Sequence, residues 1–191
     1  MSRTYSTSYM PRVNTRAWLQ AILYRLGQVR QQLGFVAPLS ADEYVEVKRW
    51  LPASALPLFA TMSKADQRHS LRVCRGLQTC GCADEDLLAA ALLHDIGKAE
   101  GRVPFWTRPV LVIGRLLAPT LLARFVISPS LCDKRRVPRW LRSLSYAWWH
   151  ADVGAELAAT AGLSERAVLY IRTHELPIGP AAALYAVDEV S

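Results

Sequence analysis

The residues best suited to chemistry are few, because the chain holds only four histidines, His69, His94, His150 and His174. One of them adjoins a carboxylate, in Leu92-Leu93-His94-Asp95-Ile96-Gly97-Lys98. Neighbouring residues on a helix are turned by about 100°, so an adjacent His and Asp can both lean toward one point beside the axis, where one cation can take both. The residues before them, Leu87, Leu88, Ala91 and Leu92, are buried-helix material. A carboxylate emerging from such a helix needs a partner, and a divalent ion meets the need. Gly97 is expected to let the chain turn, freeing Lys98 to add a fixed positive charge to the same cleft. The plainer alternative for Lys98 is a solvated lysine past a helix end.

The other histidines also lie beside core-type residues: His69 before Leu71 and Val73, His150 before Val153, His174 after Leu169 and Ile171. Four unrelated core histidines is the ordinary reading. A shared site explains them together, and it needs separate helices to deliver them. Those helices are legible. Ser40-Ala41-Asp42-Glu43 is a capping box, Ser63 to Asp66 is a close variant, and Ser164 precedes a run that is apolar at Ala167, Val168 and Ile171. Two amphipathic stretches, about 68–79 and 85–95, flank Gly81, which can terminate the first, and they form an expected antiparallel pair. Alternating strand patterns are absent, so the expected fold is all-α. The leader, residues 1–62, should contain a helix with the stripe Trp18, Ile22, Leu23 and Leu26, ahead of a main domain at 63–191.

The ordered set His69, then His94-Asp95, then Asp188 within Ala183-Leu184-Tyr185-Ala186-Val187-Asp188-Glu189, resembles the H…HD…D signature of the HD superfamily of phosphohydrolases. The resemblance runs from about Lys64 to the C-terminus. His150-Ala151-Asp152-Val153-Gly154 and Thr173-His174-Glu175 are similar to the further histidine motifs of HD proteins with two metals. Small stand-alone bacterial HD proteins are the nearest in pattern, and HD hydrolases of dinucleoside tetraphosphates are more distant. The Gly-Tyr-Pro element of HD-GYP proteins is missing, since Leu176-Pro177-Ile178-Gly179-Pro180 follows Glu175.

The resemblance implies an HD-type helical bundle. It makes His69, His94, Asp95 and Asp188 the ligands of one ion, with Asp95 free to bridge to a second. His150 and His174 would hold that second ion or contact phosphate oxygens, and Glu175 would orient a ligand from behind or sit on the helix surface. Mixed imidazole and carboxylate ligation suits iron, manganese, zinc, cobalt or nickel, as one ion or two, without choosing among them. The implied activity is hydrolysis of a phosphomonoester, phosphodiester or phosphoanhydride of a small substrate, a nucleotide foremost, by metal-activated water, with Asp95 and Lys98 in catalytic roles. The rival from another class is a non-catalytic HD module that senses a ligand or docks on a membrane or partner. The oligomeric state is left open.

The net charge of +7 is unevenly spread. Residues 1–38 carry five arginines and no acid, and residues 101–145 carry nine Lys or Arg against Asp133 alone. All four histidines fall outside these two basic segments. The second lies in an insert, 101–149, whose Arg135 and Arg136 could bind anions or simply be solvated. Within it, residues 110–127 are strongly apolar, but Arg115, Pro119 and Arg124 argue against a spanning helix and for two short helices. A peripheral membrane contact through 105–149 is the alternative to a buried insert. No nucleic-acid reading motif is present, so nucleic acid is not an expected partner. The N-terminus has no apolar stretch of the secretory kind, so the expected location is the cytoplasm. The four cysteines, Cys74, Cys80, Cys82 and Cys132, are expected as free thiols.

Overall fold

Helix caps written into the sequence set the framework of the chain. The computed structural model describes residues 36–100, 103, 107–117, 119–134 and 137–191. The expected stripe at Trp18, Ile22, Leu23 and Leu26 and the basic pair Arg135 and Arg136 lie outside these residues. No strand occurs among the described residues, and the fold is all-α.

Helix α1 (Ala41–Trp50) starts at a capping box in which Ser40 Oγ accepts from the Glu43 N–H and the Glu43 carboxylate accepts from the Ser40 N–H. A 3-10 turn (Ala53–Ala55) and short α2 (Leu56–Ala60) lead to α3 (Lys64–Thr79), capped by Ser63. Gly81, at φ +84, lets the chain leave α3 in the left-handed region. Asp84 then caps α4 (Glu85–Leu93), so α3 and α4 form the expected pair. Every residue from Leu87 to Leu93 is buried, which makes α4 the central helix.

Short α5 (Gly97–Glu100) is followed by α6 (Thr107–Leu117), α7 (Pro119–Phe125) and α8 (Pro129–Lys134). Pro119 opens α7, where its missing N–H costs nothing, and the apolar insert is two short helices as expected. No helix among the described residues is long and apolar enough to cross a membrane. Long α9 (Arg139–Thr160), α10 (Glu165–Thr173) and α11 (Ala182–Asp188) complete the chain.

Val47, Phe59, Leu71, Leu77, Leu88, Leu92, Ile96, Ile171 and Leu184 belong to one buried cluster. Contacts divide the chain after Val36, not after residue 62, and residues 37–191 form one compact unit. The reason is that α1 and α2 lend Val47, Leu51, Ala55 and Phe59 to the same core as α3 and α4. A smaller cluster joins Leu111 and Leu122 of the insert to Leu144 and Ala147 of α9.

Candidate metal centre

Two helices of equal length deliver two of the histidines. Helices α4 and α10 each have nine residues, and each is followed immediately by a histidine, His94 and His174, as its C-cap. At their N-terminal ends, Ser164 Oγ donates to Asp86 Oδ1 at 2.6 Å, while Tyr170 and Arg166 both donate to the Asp84 carboxylate. At their C-terminal ends the rings of His94 and His174 stand 5.1 Å apart. The helices therefore run parallel and in step, and both present the negative end of the helix dipole to the same place, which favours a cation.

His150 enters from the middle of α9 and His69 from α3, with ring separations of 5.1 Å from His150 to His174 and 5.4 Å from His69 to His94. Asp188, the last residue of α11, accepts a hydrogen bond from His69 Nε2 at 2.8 Å. The four imidazoles, Asp95 and Asp188 thus converge, and His94, Asp95, His150 and His174 are buried. His69, His94 and Asp95 offer ligand atoms within 4.8 Å of one another, and Asp95, His150 and His174 do the same.

One device orients three of the rings. Nδ1 of His94, His150 and His174 lies 2.8, 2.9 and 2.7 Å from the carbonyls of Ala91, Ala147 and Ile171. A carbonyl only accepts, so each Nδ1 carries the proton, and in the neutral ring each Nε2 is left with a lone pair. His94 Nε2 is buried with no hydrogen-bond partner among the described residues. His150 Nε2 and His174 Nε2 face each other at 3.2 Å. Two lone pairs at that distance repel unless a positive charge lies between or beside them.

Protonation does not relieve that pair. Burial, aided by the charge of Lys98, pushes His150 down to about 3. Burial and the nearby His94 also lower His174. Burial works against the charged form of His94 too, but the carboxylates of Asp95 and Asp188 outweigh it and raise the pKa. Burial would raise the Asp188 carboxyl, yet the hydrogen bond from His69 and the proximity of His94 hold it well below the usual range. The pocket is thus anionic at one side, rich in unprotonated nitrogen at the other, and attractive to a cation.

Spacing gives a second test. Atoms about 2.0–2.2 Å from one ion stand roughly 2.8–3.6 Å apart at octahedral to tetrahedral angles. His94 Nε2 lies 3.5 Å from Asp188 Oδ1 and 3.6 Å from Asp95 Oδ1. Asp95 Oδ1 lies 3.7 Å from His150 Nε2, so it stands between the two groups of ligand atoms. His69, His94 and Asp95 on one side, and Asp95, His150 and His174 on the other, are groups that could hold a metal ion, with Asp188 beside the first.

Lys98 Nζ donates to Asp95 Oδ1, three residues back. The chain turns at residues 94–96, and Gly97 opens α5 directly after that turn without a positive φ. Its role is close approach. A Cβ on Gly97 would come 2.1 Å from the carbonyl oxygen of His150 and 2.9 Å from the Gly154 nitrogen, so only glycine lets α5 lie against α9 and bring His150 to Asp95. Glu175 Oε1 lies 3.9 Å from His150 Nε2, the nitrogen opposite the one held by the Ala147 carbonyl. No residue type signals such a carbonyl, so the sequence could not have revealed it; Gly154, four residues beyond His150, was the available hint for the close approach.

Comparison of the chain with family models, curated proteins and solved structures finds no match in any of the three.

Proposed function

We propose that this chain is a divalent-metal-dependent phosphohydrolase of the HD type, acting on a phosphomonoester, phosphodiester or phosphoanhydride of a small substrate, with nucleotides the leading class. The observation that carries the proposal is the set of buried imidazoles whose Nδ1 atoms are tied to carbonyls while their Nε2 atoms converge on Asp95 and Asp188. Such a set is costly to bury and gains nothing unless a cation occupies it. When bound, a divalent ion supplies Lewis acidity toward phosphoryl oxygens and lowers the pKa of coordinated water.

The residues divide into a buried floor and a more open rim. His94, Asp95, His150 and His174 form the floor, while the His69, Lys98, Asp188 and Glu175 side chains are 14, 18, 28 and 36% exposed. A phosphorylated substrate would approach from the rim, where Lys98 offers a positive charge to a phosphoryl oxygen without leaving Asp95. Asp95, bonded to Lys98 and set between the two ligand groups, can accept a proton from an attacking water. The carbonyls of Ala91, Ala147 and Ile171 fix the ring orientations, so the floor does not reorganise during the reaction.

Elemental analysis of protein purified without chelator, followed by a nucleotide and phosphoester panel with manganese, iron, zinc, cobalt and nickel, tests this directly. Bound metal and turnover are expected, and Asp95→Ala should lose both. Absence of metal and of turnover with every ion would overturn the enzyme in favour of a ligand-sensing module.

A further inference from the structure

The insert presents an apolar surface that neither core covers. On α6, Val110, Ile113 and Leu117 are 43, 45 and 76% exposed. At about 100° per residue these three fall within an arc of roughly 60°, so they form one stripe. On α7, Leu121 and Phe125, one helical turn apart, are 54 and 53% exposed. Leu111 and Leu122 of the same helices are buried against Leu144 and Ala147 of α9, so the exposed stripe is additional to the face that packs the insert down. Singly exposed apolar residues are ordinary, but a stripe of three on one amphipathic helix, followed by two more on the next, marks an interaction surface.

Charge selects what covers it. The segment 101–145 carries nine Lys or Arg and one acid, so the occupant must be anionic. A second copy of the same face would bring like charge against like. Nucleic acid would satisfy the charge but has no use for Leu117 and Phe125 in contact with phosphates. A bilayer with anionic headgroups satisfies both features, since acyl chains receive the apolar stripe and headgroups receive cationic side chains such as the exposed Arg124, which lies between Leu121 and Phe125 on α7. Neither α6 nor α7 is long enough to span, so the contact is in the plane of the surface. We propose that α6 and α7 form a peripheral membrane-docking face for anionic lipid. This inference is independent of the activity proposed above.

The test is co-sedimentation of the full chain with vesicles of equal parts phosphatidylcholine and phosphatidylserine, against vesicles of phosphatidylcholine alone, at low and high salt. Binding to the anionic vesicles, weakened by salt, is the expected result. The charge-conserving double variant Leu117→Ser/Phe125→Ser should bind at least about tenfold more weakly. Ile178→Ser, which removes an exposed apolar side chain outside the insert, should bind like the unaltered chain. Because all three positions are exposed, circular dichroism should show the variants folded. Failure to bind anionic vesicles, or binding that the double variant leaves intact, would overturn the proposal. So would a concentration-dependent dimer abolished by the double variant, or a polyanion complex of single-stranded DNA formed in the absence of vesicle binding.

Discussion

An imidazole that gives one nitrogen to a carbonyl keeps the other for a cation, and three rings here are arranged that way around two carboxylates. Lys98 is the cation the chain itself supplies, with its ammonium on the buried Asp95 carboxylate. Replacing it by methionine leaves a buried carboxylate without that partner, and losing a hydrogen bond to a charged group costs roughly 1.5–3 kcal/mol. The loss should be concentrated in metal-free protein, because an added divalent ion would restore positive charge beside Asp95. In thermal melts, Lys98→Met should fall below the unaltered chain without metal and recover most of the gap with manganese. An equal deficit in both conditions would show that Lys98 acts elsewhere. At this scale the sequence was informative about which residues could meet, because only four histidines exist and each sits next to core residues. It was silent about Ala91, Ala147 and Ile171, whose contribution is a carbonyl that every residue has.

Helices bring these residues together through contacts made by residues with little chemistry of their own. Gly97 is the sharpest case, since a methyl group there would lie 2.1 Å from the His150 oxygen, a main-chain atom that no side-chain rotation can move away. Gly97→Ala should cost about 3 kcal/mol in urea unfolding, at the upper end of overpacking penalties, and should reduce metal content by shifting His150 from Asp95. Gly81→Ala is the control: it has open space around the position and only its φ of +84 to oppose it. That change should cost about 1 kcal/mol and spare the metal. Equal effects from the two would remove the close-approach argument. Caps and breakers such as Ser40, Ser63, Asp84, Ser164 and Gly81 made the helices legible, because these residues act on their own neighbours. The close approach at Gly97 was not legible, because it depends on α9, more than fifty residues later in the chain.

At the scale of the whole molecule, the sequence showed the separation of a basic insert from a body holding every histidine, but placed the start of that body too late. The leader's amphipathic appearance concealed that α1 and α2 bury Val47 and Phe59 in the common core. The candidate centre ties that core together at one point: α3, α4, α9, α10 and α11 each contribute or carry a ligand residue. Residues that meet only when the fold is complete bind an ion in the folded state alone, so ion binding stabilises the entire unit. At a free-ion concentration one hundred times Kd the gain is about 2.7 kcal/mol. For a unit of this size, each kcal/mol moves Tm by roughly 2–4 °C. A chelator should therefore lower Tm by about 5–10 °C. Asp95→Ala should melt at the same temperature with chelator and without it. A chelator-insensitive Tm in the unaltered chain, at metal levels where ions are shown to be bound, would mean that the ions sit on the surface and not among these helices.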